Sequence, residues 1–128
     1  MIVNSNRFNF QDAVDDLLAN WVQDDVIPTL EETLDEVSKE AVKKLKANSR
    51  REFKGNKYWK GWTREKEKGR LKKGYTIYNK IPGLPHLLEN GHVLRNGGRY
   101  HGKEHILPVE KWAVEEVQDR FYDKMEGV

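Results

Sequence analysis

Four histidines fall within twenty residues: His86, His92, His101 and His105. No other part of the chain concentrates side chains able to bind a metal or move a proton near neutral pH. His101 and His105 stand four apart, the spacing that puts two ligands on one helical face. Gly102 lies between them and the flanking residues read as loop, so the pair lacks a helical scaffold. No Glu lies between the pair in the metalloprotease position, directly after the first His, where Gly102 stands instead. A His/Asn metal nuclease would draw on His92, Asn96, His101 and His105, aimed at a phosphate and a metal by a strand–turn–strand–helix frame. No spacing in the segment calls for that frame, and loop packing or an interface explains the histidines more simply. Serine is confined to Ser5, Ser38 and Ser49, none in a nucleophile-elbow setting. The glycine runs lack a following Gly-Lys-Ser/Thr, so no phosphate loop is present. Carboxylates run mainly along helical stretches, and no pair is spaced to act as acid and base. Cysteine is absent, which removes thiolate metal sites, disulfides and thiol nucleophiles. The expectation is a protein that is not an enzyme and holds no metal or cofactor.

The second chemical feature is basic and aromatic. Lys57, Lys60, Arg64, Lys66, Lys68, Arg70, Lys72 and Lys73 interleave with Tyr58, Trp59 and Trp62. Such cations contact phosphates without reading sequence, and aromatic rings stack on single-stranded bases. Two Trp in an alternating strand also serve as core anchors. The net charge of +2 conceals a block pattern: residues 1–38 carry −8, residues 39–80 carry +12 and residues 81–128 carry −2. Two readings follow. Either a basic hairpin faces an acidic helix, in the same chain or a neighbour's, or the basic segment faces a polyanion such as DNA.

These groups must be positioned by a modest scaffold. The 128 residues make one domain, 37% hydrophobic and 34% charged, with thirteen aromatic residues to anchor a small core. No apolar run approaches the roughly 18 residues of a membrane span, and MIVNSNRFNF is not a secretory signal. A soluble protein of a reducing cytoplasm is expected. Val14, Leu17, Leu18, Trp21 and Val22 predict a first helix over 8–27. Pro28 either kinks that helix or sits in the first turn of a second. Leu30, Leu34, Val37, Ala41 and Leu45 form the next stripe, which Asn48-Ser49 is expected to stop near residue 48. Residues 50–57 read as loop. A β-hairpin is expected over about 57–80, with Tyr58–Arg64 as one strand, Tyr75–Tyr78 as the other and a charged tip between. Residues 81–105 read as Gly/His-rich loop, with one helical turn at His86–Glu89 and a tight turn at Arg95–Arg99. A last helix over about 108–126 starts near Pro108 and buries Val109, Trp112, Ala113, Val117, Phe121 and Met125. The expected fold class is α+β: helices packed on a small antiparallel sheet with an extended basic hairpin.

The order of these motifs has a precedent. Gly55…Tyr58-Trp59-Lys60-Gly61-Trp62 precedes Tyr78-Asn79, then Leu87-Leu88-Glu89-Asn90-Gly91-His92, Gly97-Gly98-Arg99 and His105-Ile106-Leu107-Pro108. Over about residues 10–125 this series resembles the neck and tail-completion proteins of long-tailed bacteriophages, the family named for gene product ten of a lambda-like phage. The usual Ser-Pro before the Gly-x-Tyr segment is replaced by Ser49-Arg50-Arg51. The resemblance implies a structural virion protein at the head–tail junction, made in the host cytoplasm and built into a ring of six-fold or twelve-fold symmetry around the DNA channel. Its implied partners are copies of itself, the adjacent head-completion and tail-terminator proteins and, without sequence preference, packaged DNA; a membrane is not among them. The matched residues take structural roles in that reading: Gly91, Gly97 and Gly98 at turns, Trp62 and Leu88 in the core, Glu89 and His92 holding the loop to a neighbour or to the sheet, with Gly61, His105 and Pro108 as further structural residues of the motif. The basic residues 57–73 would line the channel or dock on a neighbour. An acidic 1–38 segment meeting a neighbour's basic hairpin would be a heterologous contact of the kind that closes rings.

Overall fold

A computed structural model describes residues 7–20, 26–67 and 74–126. Strand β1 (Arg7–Phe8) leads into helix α1 (Gln11–Asn20). The side chain of Asn9 accepts the Gln11 N–H at 3.0 Å and so marks the helix start. Phe8 thus belongs to a strand rather than to the first helix. Trp21 and Val22 of the expected stripe lie outside the described residues, as do Lys68, Arg70, Lys72 and Lys73.

Helix α2 (Val26–Glu52) is the spine of the molecule. Pro28 is its third residue, where a missing N–H breaks no bond. Leu30, Leu34, Val37, Ala41 and Leu45 are completely buried, as their spacing predicts. Two polar side chains share that face and turn their hydroxyls back on the helix: Thr33 donates to the Thr29 carbonyl and Ser38 to the Asp35 carbonyl. The helix does not stop at Asn48-Ser49. Ser49 follows Leu45 by one turn, extends the buried stripe, and accepts the Trp62 indole N–H at 2.8 Å. That tertiary bond outweighs the weak helix propensity of the Asn-Ser pair.

Helix α3 (Lys57–Lys60) corrects a second expectation: Tyr58-Trp59-Lys60 form a helical turn, and the strand begins only at Trp62. Gly61 closes the turn with its N–H on the Tyr58 carbonyl. Its Cα faces the Asn79 side chain, which bonds the Tyr58 carbonyl and the Ile81 N–H. Strands β2 (Trp62–Lys66) and β3 (Tyr75–Asn79) pair antiparallel with Trp62 opposite Asn79 and Lys66 opposite Tyr75. β1 adds to the other edge of β3, giving the order β1-β3-β2. The sheet lays Ile77 and Trp62 on α2.

Residues 81–105 hold more structure than a loop. Helix α4 (Leu84–Asn90) is followed by a hairpin of β4 (His92–Val93) and β5 (Arg99–Tyr100), closed by the expected turn at Asn96-Gly97-Gly98. Helix α5 (Leu107–Glu126) then runs antiparallel to α2. Val109, Ala113, Val117, Phe121 and Met125 are buried, and Trp112 is half-buried under the ammonium of Lys44. Along the seam Arg120 pairs with Glu40 at 2.5 Å and Lys124 with Glu36 at 2.6 Å. The fold is α+β, helices on a small antiparallel sheet. No helix among the described residues is long and apolar enough to cross a membrane.

Candidate functional site

Glu89 closes the last turn of α4, and only 4% of it is exposed. The chain leaves α4 through Gly91 at φ +85°, runs out and back through β4 and β5, and returns across the end of α4 at Gly102. A Cβ on Gly102 would stand 2.6 Å from the Glu89 carbonyl, and one on Gly91 would collide with the Tyr100 carbonyl. Both positions therefore need glycine, for positive φ and for the close crossing of two backbones. The Lys103 N–H bonds the Leu88 carbonyl at 2.8 Å and fixes the return.

This crossing delivers the start of α5 to the Glu89 carboxylate. Oε1 accepts the N–H groups of His105 at 2.6 Å and Ile106 at 2.9 Å, and Oε2 accepts that of Leu107 at 2.9 Å. The Ile106 and Leu107 N–H groups, which the helix start leaves unpaired, and the His105 N–H just before them are thus met by one anion at the positive end of the helix dipole. Burial alone would raise the carboxyl's pKa, but the hydrogen bonds from the His105 ring and from the three N–H groups carry it below the ordinary value. The neighbouring Glu110 carboxyl is raised, by burial and then by the Glu89 charge.

His105 continues the chain of bonds inward. Its Nδ1 faces Glu89 Oε1 at 2.9 Å and the Lys103 carbonyl at 2.8 Å. With two acceptors there, the neutral ring carries its proton on Nδ1, and Nε2 accepts the Tyr58 hydroxyl at 2.5 Å. Tyr58 also bonds Ser49, which holds Trp62. Burial pushes the Tyr58 phenol far above its ordinary range. Phe53 packs edge-on to both Tyr58 and His105, with ring centres 5.7 and 4.8 Å away.

Carboxylate, imidazole and hydroxyl in series are also the parts of a nucleophilic triad. Here they do not meet a substrate's requirements. A reacting carbon needs a place about 3 Å from the hydroxyl, whereas Ser49 and His105 are each 1% exposed and Tyr58 6%. The arrangement instead ties α2, α3, α4 and α5 together through their polar groups. Sequence reasoning missed Tyr58 and Ser49 as partners of His105, because they lie more than forty residues away in the chain. It expected Glu89 to hold the loop to a neighbour or to the sheet, whereas the carboxylate holds the start of α5.

The other histidines disperse. His86 bonds Asn90 within α4 at 3.0 Å, His101 is exposed, and His92 packs on Tyr100 across the β4–β5 hairpin with ring centres 5.6 Å apart. His92, Asn96, His101 and His105 do not converge, and among the described residues no three His, Asp or Glu side chains are grouped to hold a metal ion. Of the remaining motif residues, Trp62 is in the core, Leu88 packs against it, Gly97 and Gly98 form the hairpin turn, and Pro108 is exposed in the first turn of α5.

The basic segment also divides. Arg64 turns inward: its guanidinium bonds Asp35 at 2.7 Å and Ser38 at 2.9 Å and lies over the Tyr75 ring. The Arg64 hydrogen bond, then that of Tyr75, hold the Asp35 carboxyl at about 2. The basic hairpin thus does meet the acidic helix of its own chain, through Arg64. Lys66 is exposed at the end of β2, while Lys57 and Lys60 are exposed on α3, beside the end of α2 rather than on the hairpin.

No family model, curated protein or solved structure matches this chain. The residues and their geometry are therefore the whole basis for a functional reading.

Proposed function

We propose that this chain is a structural subunit of the neck of a long-tailed bacteriophage, assembling as a ring that joins the head to the tail. The observation that carries the reading is the fate of the ordered motif. Of the series most particular to the resemblance, Leu88, Glu89, Gly91 and His105 serve one buried brace at the start of α5, and Gly97 and Gly98 form the turn of the neighbouring hairpin. Their chemistry goes into rigidity, which a ring subunit under packaging pressure needs, and not into a cleft where a substrate could sit. The exposed β4–β5 hairpin leaves room for neighbours of the ring and of the adjacent layers.

Electron microscopy of lysates from the parent phage with this gene inactivated tests the proposal. Separate DNA-filled heads and finished tails are expected. Intact infectious virions would refute it.

A further inference from the structure

We propose that the outward face of the second half of α2, together with α3, docks on the phosphate backbone of duplex DNA. Residues 43–60 carry eight Lys or Arg and one acid, Glu52, which Arg51 occupies at 3.2 Å. Lys43, Lys46 and Arg50 follow the i, i+3, i+7 spacing on the side of α2 away from the Leu34–Ala41–Leu45 stripe. Lys54, Lys57 and Lys60 continue the exposed surface beyond the helix end. None of the ion pairs among the described residues involves these six cations.

The first half of the same helix is built differently. There Asp35 is met by Arg64 and Lys39, Glu36 by Lys124 and Glu40 by Arg120. Among the described residues, charges are paired at one end of α2, while at the other Lys43 and Lys44 have nearby only Glu40, which Arg120 already holds. The helix dipole accounts for Arg50 and Arg51 in the last turn, but its effect has faded by Lys46 and Lys43. Like charges at these spacings destabilise an isolated helix. A row of phosphates offsets that cost. Lys43 to Arg50 spans about 10 Å of helix, over which one DNA strand presents about three phosphates.

Two observations favour a nucleic acid over an acidic protein and a duplex over a single strand. Among the described residues the exposed large apolar side chains, Leu87, Val93, Leu94 and Tyr122, lie outside α2 and α3, so this surface lacks the apolar centre of a protein interface. Trp59, its one large ring, is half-buried and already carries Arg50 at 5.1 Å and Lys60 at 5.5 Å, so it is not an open platform for a base. The surface does not rest on the neck reading, and its failure would leave that reading standing.

The test is fluorescence anisotropy of the full chain with a labelled mixed-sequence duplex of about 20 base pairs, a length that exceeds the footprint of six cations. Between 50 and 200 mM salt, five or six phosphate contacts predict a slope of log affinity against log salt near −5, or roughly 500-fold to 1800-fold weakening. The variant K43Q/K46Q/R50Q should lose about three from that slope and roughly 100-fold in affinity at 50 mM. The control R95Q/R99Q/K103Q removes the same charge from the exposed β4–β5 region and should bind within about threefold of wild type. Should the first variant melt early, K54Q/K57Q/K60Q takes its place, since it leaves α2 untouched. Equal weakening in both variants, no saturable binding by the wild type, or tighter binding to polyglutamate than to the duplex at equal salt would each overturn the proposal.

Discussion

Replacing Glu89 with Gln tests the brace with a nearly isosteric change. Glu89 Oε1 holds two backbone N–H groups and faces the His105 ring, so the Gln amide oxygen must take that place. Its –NH2 group then meets the Leu107 N–H, donor against donor, where the carboxylate Oε2 had accepted at 2.9 Å. One buried donor without an acceptor costs about 1–3 kcal/mol. The two retained bonds lose their ionic character and about half their strength, and the helix start loses an anion worth about 0.3–1 kcal/mol. Together these give a loss of about 2–4 kcal/mol out of a total stability of about 5–15 kcal/mol. For a chain of this size the melting temperature should fall by about 8–16 °C. Glu89→Ala leaves all three donors unmet and should cost more than the Gln variant. Urea unfolding followed by Trp fluorescence, with calorimetry, reads both. The pH dependence separates charge from shape. Because the folded carboxyl titrates below its ordinary value of 4.5, its contribution is complete above that pH and is lost as the pH falls through the folded value. The gap between wild type and Glu89→Gln should therefore be constant near neutrality and narrow in acid. A Gln variant melting within about 2 °C of wild type at pH 7, a shift worth well under 1 kcal/mol, would refute the reasoning.

Tyr58→Phe removes the hydroxyl between His105 and Ser49 and should cost about 1–3 kcal/mol in urea unfolding; a double-mutant cycle with Ser49→Ala should be non-additive, and strict additivity would break the link. Arg64→Gln should raise the Asp35 carboxyl from about 2 toward its ordinary 3.8 in an NMR titration, and an unmoved value would sink the pairing. With the Asp35 side chain 38% exposed, that change should alter stability little. Phe121→Ala should cost about 3–5 kcal/mol, whereas Tyr122→Ala, its exposed neighbour on α5, should cost well under half as much; equal losses would mean the face of α5 is wrongly assigned.

The stripes of α2 and α5 were legible in the sequence because burial on a helix repeats with the backbone's own period. The turns at Asn90-Gly91 and Asn96-Gly97-Gly98 were legible because few residues other than glycine accept positive φ. Tyr58-Trp59-Lys60 was misread because aromatic residues favour strands, while burial of Tyr58 against Phe53 and His105 is better served by a helical turn. Ser49 was misread for a similar reason: its local preference pointed to a stop, and its hydrogen bond to Trp62 lies thirteen residues on.

The sequence by itself determined the α+β class, the two long amphipathic helices and the glycine turns, since each follows from preferences within a few neighbouring residues. Tertiary structure alone decided which polar groups meet. It brought Glu89 to the first N–H groups of α5, Tyr58 to His105, and Arg64 to Asp35. It also left Lys43, Lys46 and Arg50 facing outward without an ion pair among the described residues. A charge or a hydroxyl has no period that announces its partner. The partner is set by where the folded chain brings distant segments together, and by the cost of leaving a buried donor or a charge unmet once they arrive.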